Sequence, residues 1–482
     1  MSILDSLRTG VISFLFPDWS EETRNRVSEM QERRDYREGR HKQQIKPKPG
    51  KSDDNVYINF SGLVIDRSIS MLFGDGVEFD LPGEGDDTPE DKYINQVWDK
   101  NKRNIFLHRM ALLASEDGTG YVKIVEDGIV EDKVSLPRLV LIDPKWVTMD
   151  TNPEDFEEVI RYTIRFNTVG PDGKELARKQ IHEYQDASEN WSIEDWQASS
   201  ATAGKWELMQ SEIWEHNFAQ IIHFQNLPSA ENVYGTPDLP EDLIRLQDKL
   251  NFVVSNINKI IRLYAHPKSI AYGVGSEQKD VIDTSAGELI IVNQPEAFWK
   301  NVEMKSDLNS SNAFFRDLRQ AFFDVARTVD IDSVADKLGG MTNFGLRVLY
   351  QDSINKVKTK QKLYGDAILE INRRLLIING MDPDPGKIIW QDLLPVNGVE
   401  FSNELQMDIE MGILSKQTAS GFKEYEWEQE KKRIDAEHEI EIEFQKEMFK
   451  QGANNPQLQQ NMNQKTPVTK LKGGQTKSDN EM

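Results

Sequence analysis

The chain has 482 residues, a net charge of -23 at pH 7 and no cysteine. Disulfides, thiolate-bound zinc, iron–sulfur clusters and a thiol nucleophile are therefore excluded, and the acidity argues against a broad surface that grips nucleic acid, which needs many Lys and Arg contacts to phosphate. The length accommodates two or more domains with cores of their own, and at a mean hydropathy of -0.61 the chain holds no apolar run of about 18 residues that would predict a membrane-spanning helix.

Taken in order, the apolar opening MSILDSLRTGVISFLFPDWS carries Asp5 and is stopped by Pro17-Asp18-Trp19. It lacks a basic start and a small-residue cleavage site, so it reads as a terminal amphipathic helix packing on a neighbour and not as a secretory signal. Residues 18–45 predict a polar helix ending near Gly39. Its basic tail (Arg33, Arg34, Arg37, Arg40, Lys42, Lys46, Lys48) reads as a solvated face. Asn59–Phe73 predicts a helix with Leu63, Ile65, Ile69, Leu72 and Phe73 inward, stopped by Gly74 and Gly76. An acidic loop over 82–91 follows, then a helical segment over 90–115. Gly118-Thr119-Gly120 turns into a strand at Tyr121–Val125, with a hairpin turn at Glu126-Asp127-Gly128.

Residues 136–226 are β-rich. Ile160, Tyr162, Ile164 and Phe166 alternate with Arg161, Thr163 and Arg165, the period of a half-buried strand. Further strands are expected at Gln180–Tyr184, Trp206–Ile213 and Ile221–Gln225, with a turn at Pro171-Asp172-Gly173. Trp191, Trp196, Trp206 and Trp214 on such strands read as core or interface residues and not as a sugar-stacking set. Asp150–Glu154 imitates the start of a calcium loop. Asp155 stands where the turn needs Gly, and Arg161 where the site needs a bidentate Glu, so that reading fails.

Pro240–His266 predicts a long helix. Leu243, Leu246, Leu250, Val253, Ile257, Ile260 and Tyr264 recur at alternating steps of three and four, a stripe that calls for a helical partner in the same chain or the next subunit and is assigned to subunit packing. Short strands are expected within 268–310, at Glu288–Val292 and Phe298–Met304. A second helix carries Phe314, Phe315, Leu318, Phe322, Val325 and Val329. A third runs about 35 residues from Leu346 and bears Lys356, Lys358, Lys360 and Lys362 as basic contacts. Between them lies a polar loop with Asp330, Asp332, Asp336, Lys337, Gly339, Gly340, Met341 and Asn343. Gly340–Gly345 matches the front of a phosphate-cradling loop, but Leu346-Arg347 replace the required Lys and Ser/Thr, and no strand precedes it.

Near the end, Trp390–Pro395 reads as a short strand and turn. Ser415 can cap a helix, residues 423–450 form a charged helix, and the tail from Gly452 reads as disordered. The seven histidines show no paired spacing, and no nucleophile elbow is present. The residues alone predict a multi-domain α+β protein with long helical rods and self-association, with no catalytic site, no metal and no cofactor.

The order of short motifs resembles the portal proteins of tailed bacteriophages, of the type found in long-tailed phages. These are Tyr36-x-x-Gly39-x-His41, Asn59-Phe60 with Asp66, and Leu72-Phe73-Gly74. Gly118-x-Gly120-Tyr121-Val122, Leu141-Ile142-Asp143-Pro144 and His223-Phe224 with Asn226 follow. Then come Tyr234-Gly235-x-Pro237-Asp238-Leu239, Asn258-Lys259 ahead of Lys268, the polar loop and the helix through Leu375. Together they span roughly residues 30–450.

The resemblance implies a ring of about twelve copies at one capsid vertex. It implies an α/β wing at 1–239, stem helices at 240–266 and 311–329, and a small clip at 267–310. The tunnel loop would be 330–345, with a helix returning to the wing and a β segment over 346–400, crown helices at 401–451 and a disordered tail at 452–482. Double-stranded DNA would pass through the channel, with Lys337 or the set Lys356, Lys358, Lys360 and Lys362 giving it transient contacts. Partners would be the terminase large subunit, the head–tail connector, and the major capsid and scaffolding proteins, with no membrane. Two other readings stand beside it: a nucleic-acid-processing enzyme with an unrecognised site, and a helical scaffold or adaptor whose 243–264 stripe binds another protein.

Overall fold

The computed structural model describes residues 19–47, 53–74, 76–82, 88–126, 136–170, 173–198, 205–265, 269–272, 289–292, 298–301, 308–338, 343–393, 398–423 and 425–453. The N-terminal arm, the turns at 127–128 and 171–172, Gly339, Gly340, Met341 and the tail from 454 lie outside them.

Short polar side chains open the first helices. Ser20 accepts from the Thr23 amide and starts α1 (Glu21–Arg37). Asn59 accepts from the Gly62 amide and starts α2 (Phe60–Phe73). After β1 (Val77–Asp80), Thr88 accepts from the Asp91 amide and, with Pro89 in the first turn, starts α3 (Pro89–Lys100). Each cap satisfies an amide with no partner inside its helix, a contribution of about 1 kcal/mol. The helix expected over 90–115 is broken: Asn101 and Lys102 separate α3 from α4 (Arg103–Asp117), with Lys102 at φ 57°.

β2 (Thr119–Val125) pairs antiparallel with β3 (Arg138–Ile142). A five-stranded antiparallel meander follows: β4 (Val147–Asn152), β5 (Asp155–Val169), β6 (Glu175–Gln185), β7 (Asn190–Ala198) and β8 (Trp206–Ile213). β9 (Ile221–Gln225) then pairs with the other edge of β2. The alternation at 160–166 is the centre of β5, where Tyr162 and Ile164 face inward beside Met149 and Trp191 in a second core. Strands β3, β4 and β7 have no counterpart in the sequence reading.

The long helix α5 (Glu241–Ala265) leads to β10 (Ser269–Tyr272), β11 (Leu289–Val292) and β12 (Phe298–Asn301), a small mixed sheet with β10 in the centre. Then come α6 (Asn309–Val325), α7 (Ile331–Leu338), α8 (Asn343–Leu349) and α9 (Gln351–Ile378). β13 (Lys387–Trp390) returns to pair antiparallel with β1. Residues through Leu394 form one compact unit. The second unit begins at Pro395 and contains α10 (Gly398–Glu410), α11 (Lys416–Gly421, capped by Ser415) and α12 (Trp427–Ala453).

The main core lies where α2, α3, α4 and α9 meet β2 and β9. Ile65, Ile69, Val97, Leu107, Ile368, Ile371 and Leu375 are buried there, and the indole N–H of Trp98 donates to Asn372 at 2.7 Å. Each such aliphatic side chain contributes about 1.5–3 kcal/mol by leaving water.

The α5 stripe is not reserved for a neighbouring subunit. Leu243 and Leu250 are buried in this same core, and Leu246 packs against it. The physical reason is that α5 lies along α6 and α2 of its own chain. Val253 is buried and Ile257 and Ile260 are half-buried, while the Tyr264 side chain lies outside the described set. Among the described side chains of α5, Phe252 and Ile261 are the large apolar residues left exposed.

Candidate functional site

The segment from Ala326 to Leu349 joins α6 to α9. α6 ends as Ala326 bonds back to Phe322 and Arg327 turns to φ 55°, a left-handed conformation. That costs a residue bearing a Cβ about 1–2 kcal/mol, so neighbouring contacts must hold it. Three carbonyls in a row of four residues are tethered. Lys356 donates to Ala326 at 3.2 Å, Ser353 to Arg327 at 2.8 Å and Arg67 to Val329 at 2.9 Å. Arg319 of α6 pairs with Asp330 at 2.6 Å and Asp332 at 2.5 Å. The hydrogen bond and charge of Arg319 hold the exposed Asp332 carboxyl below its usual range.

The polar loop expected over 330–345 is largely helical. The Asp330 carbonyl accepts from the Ser333 amide at 3.1 Å and from its hydroxyl at 2.7 Å, which starts α7 with Asp332 in the first turn, where a carboxylate suits the helix dipole. Asp336 and Lys337 fall within α7, and Asn343 begins α8. The helix expected from Leu346 is interrupted at Tyr350 (φ -91°, ψ 7°), so α9 starts at Gln351. On α8, Phe344 is 77% and Val348 58% exposed, one turn apart.

The four lysines divide by face. Lys358 and Lys362 are exposed, whereas Lys356 and Lys360 are buried. The last two are therefore corrected: an ammonium enclosed in its own subunit is not available to DNA. The Lys360 ammonium contacts Ser68 at 2.9 Å, Ser115 at 3.1 Å and the Asp238 carboxylate, and Lys356 reaches the other oxygen of Asp238 at 3.2 Å. Burial alone would raise the Asp238 carboxyl, but two ammonium groups hold it well below the carboxylate range. Burial brings Lys360 down to about 8, with Asp238 opposing. Around them, Tyr364 donates to Asn226 at 2.9 Å, Asn226 donates to the Thr236 carbonyl at 3.1 Å, and the Asp238 amide donates to the Ser115 carbonyl at 2.9 Å. The connection 226–240 is thus strapped to α4 and α9.

A second charged cluster takes up Arg33, Arg34, Arg37, Arg40 and Lys42 of the basic tail, which are paired and not merely solvated, while Lys48 lies outside the described residues. Arg34 bonds both oxygens of Asp117 and of Asp143. Arg37 pairs with Asp66, Arg40 with Asp35, Lys42 with Glu32 and Arg33 with Glu29. Burial pushes the Glu116 carboxyl up to about 7, only partly offset by Arg34. Tyr36 donates to Asp248 at 2.6 Å, and His41 sits between the Tyr36 carbonyl and Asn251.

The glycines of the motifs mark a close crossing. Gly118 and Gly235 both have positive φ, and a Cβ on Gly235 would stand 2.7 Å from the Gly118 carbonyl oxygen. Tyr36, His41, Asp143, Asn226 and Asp238 of the quoted motifs likewise make contacts within the chain. Sequence reasoning read Arg34 as part of a solvated face and assigned no role to Asp238, Arg67, Arg319 or Ser353. One signal was available for Lys360: it falls on the apolar face of α9 between Val357 and Tyr364, where a charge calls for a buried partner.

Among the described residues no group of three His, Cys, Asp or Glu is placed to hold a metal, and no helix is long and apolar enough to cross a membrane. The charges of the two clusters are paired within the chain. A family model described as phage portal protein, SPP1 Gp6-like, matches residues 19–443. The chain belongs to that family. No curated protein matches it. The portal family is structural and non-enzymatic, and its members are components of the phage capsid. Both charged clusters and the whole of the 326–349 segment lie inside the portal match.

Proposed function

We propose that this portal protein assembles as a ring of about twelve copies at one capsid vertex. Its central channel carries double-stranded DNA inward during packaging and outward during ejection. In this reading α5 and α6 form the stem and the β10–β12 sheet is the clip that docks the terminase large subunit and later the head–tail connector. The 330–345 segment lines the channel. The wing and the helices α10–α12 meet major capsid and scaffolding proteins. The reading is carried by the family match over 19–443. It is supported by apolar side chains that one copy leaves uncovered on the helices: Phe252, Ile261, Phe314, Val325, Phe344 and Val348. Head-to-tail contacts around a closing rotation would cover such residues.

A conduit must not hold its cargo, since each neutralised phosphate adds affinity through counterion release. The net charge of -23 serves that, while Lys337, Lys358 and Lys362 supply transient contacts repeated by the ring. Electron microscopy of the purified chain, alone and co-produced with its scaffolding protein, tests the reading. Rings with a central hole are expected; only monomers or filaments under both conditions would overturn it.

A further inference from the structure

Lys356 joins the end of one long helix to the approach of another. Its ammonium donates to the Ala326 carbonyl, where α6 closes, and pairs with Asp238, three residues before α5 begins. Both partners are buried, Ala326 and Asp238 each at 2% exposure. Helix-terminal carbonyls carry partial negative charge, so one ammonium serves both. Loss of that ammonium would leave an enclosed carbonyl without its donor and weaken the compensation of a buried carboxylate. The other tethers fall in the same few residues: Ser353 on Arg327, Arg67 on Val329, and Arg319 on Asp330 and Asp332. The Thr328 amide also bonds back to Phe323 at 3.0 Å. Farther on, Phe344 and Val348 stand exposed.

We propose that Lys356 pegs the near end of the α6–α9 segment, so that residues 326–330 stay tied, through Asp238, to the head of α5. Lys356 is in this sense a positioning residue. The peg belongs to the single chain and does not depend on ring formation.

Hydrogen–deuterium exchange of the full chain, read by mass spectrometry, tests this. In the unaltered protein, amides of 326–333 should exchange at least about tenfold more slowly than those of 343–349; equal rates would overturn the peg. Lys356→Met keeps an unbranched apolar stem and removes the charge. It should speed exchange over 326–333 by about tenfold while leaving 64–73 and 107–114 unchanged; an unaltered pattern over 326–333 also overturns the proposal. If Lys356→Met loosens the whole chain, Lys356→Gln decides, because it is a milder replacement at the peg itself that keeps a polar end and removes the charge. Acceleration confined to 326–333 then supports the peg, and none rejects it.

Discussion

At Asp238 three charges share a space that holds two lysines and one carboxylate, all nearly or fully enclosed. Removing one partner of a buried ion pair leaves uncompensated charge, at a cost of about 3–5 kcal/mol. Asp238→Asn should therefore lower stability by about that amount, read by urea titration with tryptophan fluorescence. Adding Lys356→Met and Lys360→Met should recover most of the loss, because apolar groups of similar volume replace buried ions at little cost. A single-variant loss under about 1 kcal/mol would mean that the lysines reach water in solution. Glu116 gives a pH test. Its carboxyl sits at about 7 in the fold against 4.5 ordinarily, so the folded chain takes up a proton that the unfolded chain has released. The resulting stability is fully present below pH 4.5 and is lost as pH rises through 7. Relative to Glu116→Gln, the unaltered protein should lose up to about 3 kcal/mol across that window, and a pH-independent difference would contradict the assignment. These roles were hidden in the sequence for a reason. A lysine reads as exposed by default, and only its register with Val357 and Tyr364 shows otherwise, while its partner lies 122 residues away along the chain.

Long apolar periods made most helices legible, and the α9 rows at Val357, Tyr364, Ile368, Ile371 and Leu375 are buried where their spacing demands. The segment 330–345 was read as a loop because its aspartates and glycines outweighed the short apolar period of Ile331, Val334 and Leu338. A helix of eight residues offers too few repeats to assert itself. Strands β3, β4 and β7 were missed because pairing across the sheet, not local alternation, defines them. Two substitutions separate backbone strain from close packing. Arg327 holds a left-handed φ without need of a glycine, so Arg327→Gly should change stability by no more than about 1 kcal/mol, the relieved strain offsetting the added chain entropy. Gly235→Ala meets both a positive φ and a carbonyl 2.7 Å from the new carbon. It should cost more than about 2 kcal/mol. Thermal unfolding of the two variants compares them directly, and equal effects would show that the crossing of 118 and 235 is not tight.

The whole molecule presents an uneven distribution of exposed apolar surface. Its core is filled by its own helices, including part of the α5 stripe, so the contacts of the proposed ring must be sought on the residues left over. Phe314 on α6 and Phe344 and Val348 on α8 are candidates, at 47%, 77% and 58% exposure. Exposed residues contribute little to folding of a single copy, within about 0.5 kcal/mol. Buried at a contact, each would contribute about 1.5–3 kcal/mol, repeated at every subunit boundary. Replacing Phe314, Phe344 and Val348 together by Ser should thus leave the unfolding transition in place while shifting the chain from ring to monomer. Light scattering coupled to size-exclusion chromatography reads the mass, and urea titration of the same sample reads the fold. Rings that persist at unchanged concentration would move the subunit contact elsewhere, to Phe252 and Ile261 of α5. A fall in both mass and stability would instead show that these side chains are needed by the single chain.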